Sequence, residues 1–246
     1  MSGEDLLLAA LFFAAALLYA SVGHAGASAY LAAMALVGVP VAVMRPTALV
    51  LNLFVASIVV VRFTLAGYLP WRSLLPLAIG SVPMAFIGGS IELPGEVYRP
   101  LVAAVLVVGA WRLATSPAPA DDADRPGVPW VWGILSGATI GLLAGLTGTG
   151  GGIFLTPLLV LAGWTGTRDA AGLSGAFILV NSVAGLAGLL GTGLTLPPAL
   201  PLWIASVAGG GLIGSWLGAA RYSILSLRRA LALVLLVAAA KLVFFP

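Results

Sequence analysis

The chain has 246 residues, 61% of them hydrophobic and 8% charged, with a mean hydropathy of +1.14. A water-soluble domain carries roughly 25% charged residues, so a folded surface drawn from this composition suits lipid rather than water. The 11 basic and 8 acidic residues leave a net charge of +3 and form no nucleic-acid patch, while the absence of cysteine excludes disulfides and thiolate metal sites; no cofactor is called for.

An apolar run at 6–20 opens the chain. Followed by Ala25-Gly26-Ala27 it resembles a signal peptide, but Glu4 and Asp5 stand where such a peptide needs positive charge. The run also has a counterpart later in the chain, so it reads as retained structure. Further apolar segments follow at 27–39, 46–63, 73–91 and 98–114. Residues 115–129 (TSPAPADDADRPGVP) are polar, Pro-rich and acidic, and predict a solvent-exposed linker between a first unit, 1–114, and a second, 130–246. The second unit divides into segments at 130–146, 153–163, 171–190, 198–219 and 226–245.

The two units repeat each other. Gly23-His24-Ala25-Gly26-Ala27 aligns with Gly148-Thr149-Gly150-Gly151-Gly152, and Ile87-Gly88-Gly89 with Ile213-Gly214-Ser215. The stretch from Tyr98-Arg99-Pro100-Leu101 to Leu113 aligns with that from Leu227-Arg228-Arg229-Ala230 to Leu242, at nearly the same spacing. The last three segments of each unit are long enough, or nearly so, to span a bilayer, which takes about 20 residues. The first two are shorter and meet at glycine-rich turns, 21–26 and 147–152, which predicts two short helices forming a re-entrant hairpin or broken helix. Such backbone is tolerated at membrane depth only where protein or a wet cavity covers it.

An odd number of crossings per unit makes the repeats inverted. Of the basic residues, Arg45, Arg99 and Lys241 fall on the side of the N-terminus. Arg62, Arg72, Arg112, Arg125, Arg168, Arg221, Arg228 and Arg229 fall on the side of the linker. Positive charge marks the cytoplasmic face, so the linker is expected inside and both termini outside. The fold class expected is an all-α polytopic membrane protein of two inverted repeats, each a short broken helix pair plus three transmembrane helices.

The run Gly148-Thr149-Gly150-Gly151-Gly152 is the strongest local feature. Glycines let backbone N–H groups approach a ligand closely, and a helix N-terminus favours an anion. No Lys-Ser/Thr follows, so a nucleotide-binding loop is excluded. The first copy, residues 23–28 with Gly23, Gly26 and Ser28, would aim a second N-terminus inward, and inverted transporters place substrate between broken helices in this way. By contrast, Gly137-xxx-Gly141-xxx-Gly145 and Gly210-xxx-Gly214-xxx-Gly218 read as helix-packing stripes.

His24 is the only histidine and sits inside the first turn, as an anion donor, a proton carrier or a neutral packing residue. Thr47, Asn52 and Ser57 stand against Ser174, Asn181 and Ser182 at similar positions of the third segments; they line a path or bond across helices. No carboxylate falls at mid-membrane. Gly172-Leu-Ser174-Gly175 matches the G-x-S-G of intramembrane serine proteases, yet in those the histidine follows the serine, and none follows here.

The run from Gly141 through Gly152 to Thr156-Pro157, the small-residue run 170–177 and the Gly-rich 210–218 segment resemble the sulfite exporter TauE/SafE family. The resemblance covers the whole chain. It implies a carrier of sulfur-containing anions, such as sulfite, thiosulfate and organosulfonates, in a bacterial-type cytoplasmic membrane. The expected function is a non-enzymatic permease for a small anion. Backbone amides at 23–28 and 149–152 would hold the anion, with Ser28, Thr47, Ser174 and Asn181 as side-chain donors. A passive anion channel and an intramembrane serine hydrolase are the alternatives, and a homo-oligomer is left open.

Overall fold

The computed structural model describes residues 2–115, 125–191, 194–219 and 225–244. Every element it contains is a helix: α1 (Gly3–Ala20), α2 (Ala27–Val37), α3 (Val41–Leu65), α4 (Trp71–Ser90), α5 (Gly95–Thr115), α6 (Trp130–Thr147), α7 (Gly152–Leu161), α8 (Thr167–Leu189), α9 (Leu200–Ala219) and α10 (Leu225–Phe244). The ten segments read from apolarity are all present. Residues 116–124 of the expected linker, Arg221, and the side chains of Arg228 and Arg229 lie outside the described residues. Six helices, α1, α3, α4, α6, α8 and α9, are long and apolar enough to cross a membrane. The chain is thus a polytopic α-helical membrane protein.

Two expectations are corrected. The broken pairs are not two short helices each: α1 and α6 have 18 residues, whereas α2 has 11 and α7 has 10. Helix α1 starts earlier than its apolar run because Ser2 and Asp5 form a capping box, in which the Ser2 hydroxyl accepts from the Asp5 amide and the Asp5 carboxylate from the Ser2 amide. Helix α3 begins at Val41 and not at Pro46, which lies inside it. Pro46 is the sixth residue of α3, past the first turn, so it removes the helical hydrogen bond that an N–H there would donate to Ala42 O.

Small residues set the helix contacts. A Cβ at Gly137, Gly141 or Gly145 of α6 would overlap the carbonyl oxygens of Leu77, Ser81 or Ala85 of α4. One at Gly210, Gly214 or Gly218 would overlap those of Phe13 and Leu17 of α1 and of Ser21 just past its end. Both stripes are therefore close-packing surfaces, as their spacing predicts. The rising numbers on both sides make α6 run parallel to α4, and α9 parallel to α1. Across α3 and α8 the numbers run oppositely: Asn52 meets Ser182, Val59 meets Gly175 and Phe63 meets Gly172. Gly109 of α5 lies against Leu235 of α10, while Arg99 and Lys241 share one recess, so this pair is antiparallel too.

Outward faces are apolar, with Leu6, Val61, Leu75, Phe86, Val131 and Leu212 among the exposed large side chains. The core is densest around α1, α2 and α3, where Phe12, Tyr30, Leu31, Met34, Leu51 and Val55 are shut away from solvent. Phe12 meets Tyr30 and Trp203 edge-on, each at 5.3 Å between ring centroids. At one end of the bundle the Arg45 guanidinium donates to Ile91 O (2.9 Å) and Gly88 O (2.5 Å), placing a cation on the carbonyl end of α4. Near the linker, Gly127 donates its amide to Trp164 O at 3.0 Å, and Val128 packs into the smaller core around Leu155 and Phe177.

Candidate functional site

The two glycine-rich turns meet. Helix α1 ends at Ala20, and Gly23 and His24 donate their amides back to Ala20 O (3.2 Å) and Tyr19 O (2.9 Å). Those two amides complete the cap of α1 and are occupied, unlike the expectation that the whole 23–28 run offers donors. Gly23 has a positive φ of 80°, and a Cβ there would lie 2.5 Å from Ala171 O, so α8 packs directly on this turn. The chain then enters α2 through Gly26, with Tyr30 donating its hydroxyl back to Ala25 O. Ser28, 1% exposed, shares a 2.6 Å hydrogen bond with Tyr19.

In the second turn, Gly148 caps α6 through its amide to Ala144 O at 2.9 Å. The Thr149 amide reaches only the Thr147 hydroxyl, at 3.4 Å, and the two threonine hydroxyls lie 2.8 Å apart. The amides of Gly150, Gly151 and Gly152 make no backbone hydrogen bond to the described residues. They open onto α7 with the orphan donors and partial positive charge of a helix start. Gly150 (φ 73°) is enclosed: a Cβ would lie 2.8 Å from Ile178 Cγ2, 3.0 Å from Asn52 Nδ2 and 3.3 Å from Ser182 Oγ. Any other residue there would strain the backbone and displace the side chains that line it.

His24 joins the turns. Its Nε2 lies 3.0 Å from Gly152 O and 3.1 Å from Thr156 Oγ1, and its Nδ1 lies 3.0 Å from Val22 O. Thr156 Oγ1 in turn lies 2.6 Å from Ser174 Oγ. Thus His24 and Gly152 are in contact, and Thr156 extends that contact to Ser174. Thr156 stands between serine and histidine, an arrangement that does not pair them as nucleophile and base.

The remaining expected residues lie in α3 and α8, and all but Ser57 are buried. Asn52 donates Nδ2 to Ser182 Oγ at 3.3 Å across the antiparallel pair, which brings both beside Gly150. Its Oδ1, the Thr47 hydroxyl and both ends of the Asn181 amide are buried without a hydrogen-bond partner among the described residues. Thr47 and Asn181 are each fully buried, and among the described residues no polar contact joins them to the turns. Ser57 is exposed and donates to Leu53 O, so it faces away from this centre.

Three participants were legible only in part. Thr156 falls one turn beyond the α7 start, which puts its side chain over the helix N-terminus; Asn52 and Ser182 flank Gly150 only because α3 and α8 run antiparallel. A sequence can show their polarity but not that register. Among the described residues no cluster of His, Asp and Glu could hold a metal ion.

Residues 7–242 match the family model described as Sulfite exporter TauE/SafE. A curated relative, the "Probable membrane transporter protein y4hK" of Sinorhizobium fredii (strain NBRC 101917 / NGR234), is 40% identical over 247 aligned positions, covering 99% of this chain and 100% of that protein. No solved structure matches the chain. A family match over nearly the whole length, on a helical membrane fold, identifies a transporter and not an enzyme: the chain belongs to the sulfite exporter TauE/SafE family.

Proposed function

We propose that this transporter is a permease for a small anion, a sulfur oxyanion or organosulfonate such as sulfite or sulfoacetate, bound where the two turns meet. The observation that carries the reading is the contact of His24 in the first turn with Gly152 at the start of α7, beside amides at 150–152 that have no backbone acceptor. An anion answers both the unused donors and the helix end. Ser174 and Asn181 contribute side-chain donors, and Ser28, Thr47 and Thr149 form the surrounding polar shell.

The two units, 1–114 and 130–246, are inverted repeats around this centre, joined by a cytoplasmic linker in the inner membrane, with both termini outside. Support comes from α3 and α8, and from α5 and α10, which occupy the same place in each repeat and run antiparallel. Neighbour relations also exchange between halves: α6 packs on α4 as α1 packs on α9.

The test is flux of radiolabelled sulfite, sulfoacetate and taurine into proteoliposomes holding the purified full chain, with and without a pH gradient. Saturable uptake of at least one sulfur anion is expected. Ser174→Ala removes one hydrogen bond to a charged ligand, worth about 1.5–3 kcal/mol, and should raise the half-saturation concentration about 10- to 100-fold. Absence of saturable flux for every sulfur anion, from protein that is folded and monodisperse, overturns the substrate assignment and leaves the architecture standing.

A further inference from the structure

Arg99, the fifth residue of α5, and Lys241, near the end of α10, line one recess of about 280 Å³. Its floor is the junction of α2 and α3, with Gly38, Val39, Val41 and Met44 among the lining residues. No carboxylate lines it among the described residues. Along α3, Met44 stands eight residues before Asn52, about 12 Å at 1.5 Å per residue. The recess is therefore separate from the centre where the two turns meet. It lies at the end of the bundle where α5 begins, away from the end of α5 that leads to the linker.

Both cations keep donors for a ligand. Lys241 Nζ donates one of its three protons to Leu36 O, at 2.7 Å, near the end of α2. The Arg99 guanidinium makes no hydrogen bond or ion pair among the described residues, even with Glu96 three residues earlier on α5. The amides of Val41 and Ala42, at the start of α3, have no backbone acceptor among the described residues. The carbonyl end of α2 brings about half a negative charge here and the amide end of α3 about half a positive one. The two helix ends offset each other, so Arg99 and Lys241 set the sign of the recess. Two cations facing one cavity repel, and an anion between them turns that repulsion into attraction.

We propose that this recess is an oxyanion-binding site in which Arg99 and Lys241 close on the ligand from α5 and α10. A guanidinium offers two parallel N–H groups to two oxygens, and an ammonium serves a third as a point charge. Sulfate, phosphate and the phosphate of an anionic lipid headgroup all present such oxygens. Sites for drug-sized molecules measure about 300–1,000 Å³, so a recess of 280 Å³ takes one hydrated oxyanion or one headgroup.

The antiparallel packing of α5 on α10 builds the clamp. Gly109 of α5 lies against Leu235 of α10, which carries the start of α5 to the end of α10 and brings residues 99 and 241 to one cavity. Gly38, with a φ of 86°, ends α2 and donates its amide to Met34 O and Ala35 O. A Cβ on Gly38 would meet nothing within 4 Å, so the floor of the recess is open at this point.

The chain contains no cysteine, so a single thiol can report from inside the recess. Val39→Cys in the purified full chain is modified with sulfonatoethyl methanethiosulfonate, an anion, and with its trimethylammonium counterpart, each rate normalised to a free thiol. The anionic reagent should react about tenfold faster or more. Sulfate or phosphate should slow it saturably, where chloride at matched ionic strength does not. Arg99→Gln and Lys241→Gln should each raise the half-protecting concentration about tenfold or more, and Lys241→Arg should restore most of the protection. Two preparations separate the sources of the oxyanion. Protection by added sulfate or phosphate in maltoside detergent assigns a free ion. Protection that appears only in nanodiscs containing phosphatidylglycerol, and is lost in Arg99→Gln, assigns a lipid headgroup. If sulfate, phosphate and phosphatidylglycerol act no more strongly than chloride, or protect the double Gln variant equally well, the site is overturned. Should Val39→Cys not fold, Val41→Cys reads the same recess.

Discussion

At the scale of single residues, Asn181 marks the line between stability and function. Its amide is fully buried, and neither end has a hydrogen-bond partner among the described residues. A polar group buried unbonded costs about 1–3 kcal/mol, and a side chain serving packing alone would not be an amide there. Asn181→Leu should therefore leave thermal stability unchanged or raise it, while sulfur-anion flux drops about tenfold or more. A variant that loses stability in step with flux would make Asn181 a structural residue. His24 and Ser174 could be singled out from sequence because intramembrane polar groups are rare among so many apolar ones. Their connection through Thr156 could not: residues 24 and 156 lie in different halves, and only the docking of the two turns brings them within 3.1 Å. The occupied amides of Gly23 and His24 were equally hidden, since a glycine-rich turn looks alike whether its N–H groups cap the helix before it or await a ligand.

At the scale of helices, apolar runs located all ten elements but misjudged ends that polar chemistry sets. The Ser2–Asp5 capping box draws α1 back to Gly3, and α3 passes through Pro46 instead of starting at it. The glycine stripes were legible in kind, because a four-residue repeat keeps one face toward one neighbour, but which helix each meets, and in what register, was not. They give a graded stability test. A methyl at Gly141 would overlap Ser81 O, and one at Gly214 would overlap Leu17 O, both backbone atoms that cannot rotate away. Gly141→Ala and Gly214→Ala should each destabilise the bundle by about 1–3 kcal/mol through overpacking. Gly95→Ala is the control, since a Cβ there meets nothing within 4 Å. Thermal unfolding in detergent that ranks Gly95→Ala with the other two would show that the loss is one of backbone flexibility and not of close packing.

At the scale of the whole molecule, the proposed orientation rests on where charge and tryptophan collect. Helices α4 and α6 run parallel, so Trp71, at the start of α4, and Trp130 and Trp132, at the start of α6, share one end of the bundle. All three are more than half exposed, as is Trp111 toward the end of α5. Tryptophans in such positions anchor at the membrane interface. The same end carries Arg168, which donates to the Tyr68 hydroxyl at 2.8 Å and stacks 5.2 Å from its ring centroid. Arg62, in the last turn of α3, Arg72, in the first turn of α4, and Arg125, ahead of α6, belong to this end as well, and this arginine excess supports the proposal that it is the cytoplasmic face. At the other end stand Glu92 and Glu96, while Arg45 is turned inward onto the end of α4 and so presents no positive charge to solvent. The chain contains no cysteine, so single cysteines report position without a background. In intact cells, Glu96→Cys should react with a membrane-impermeant maleimide added outside. Arg125→Cys should react only after permeabilisation. The reverse pattern would place the linker outside and invert the direction assigned to every helix. Labelling of both sites in intact cells would remove residues 95–125 from the membrane, and with them the odd number of crossings on which inversion of the two halves depends.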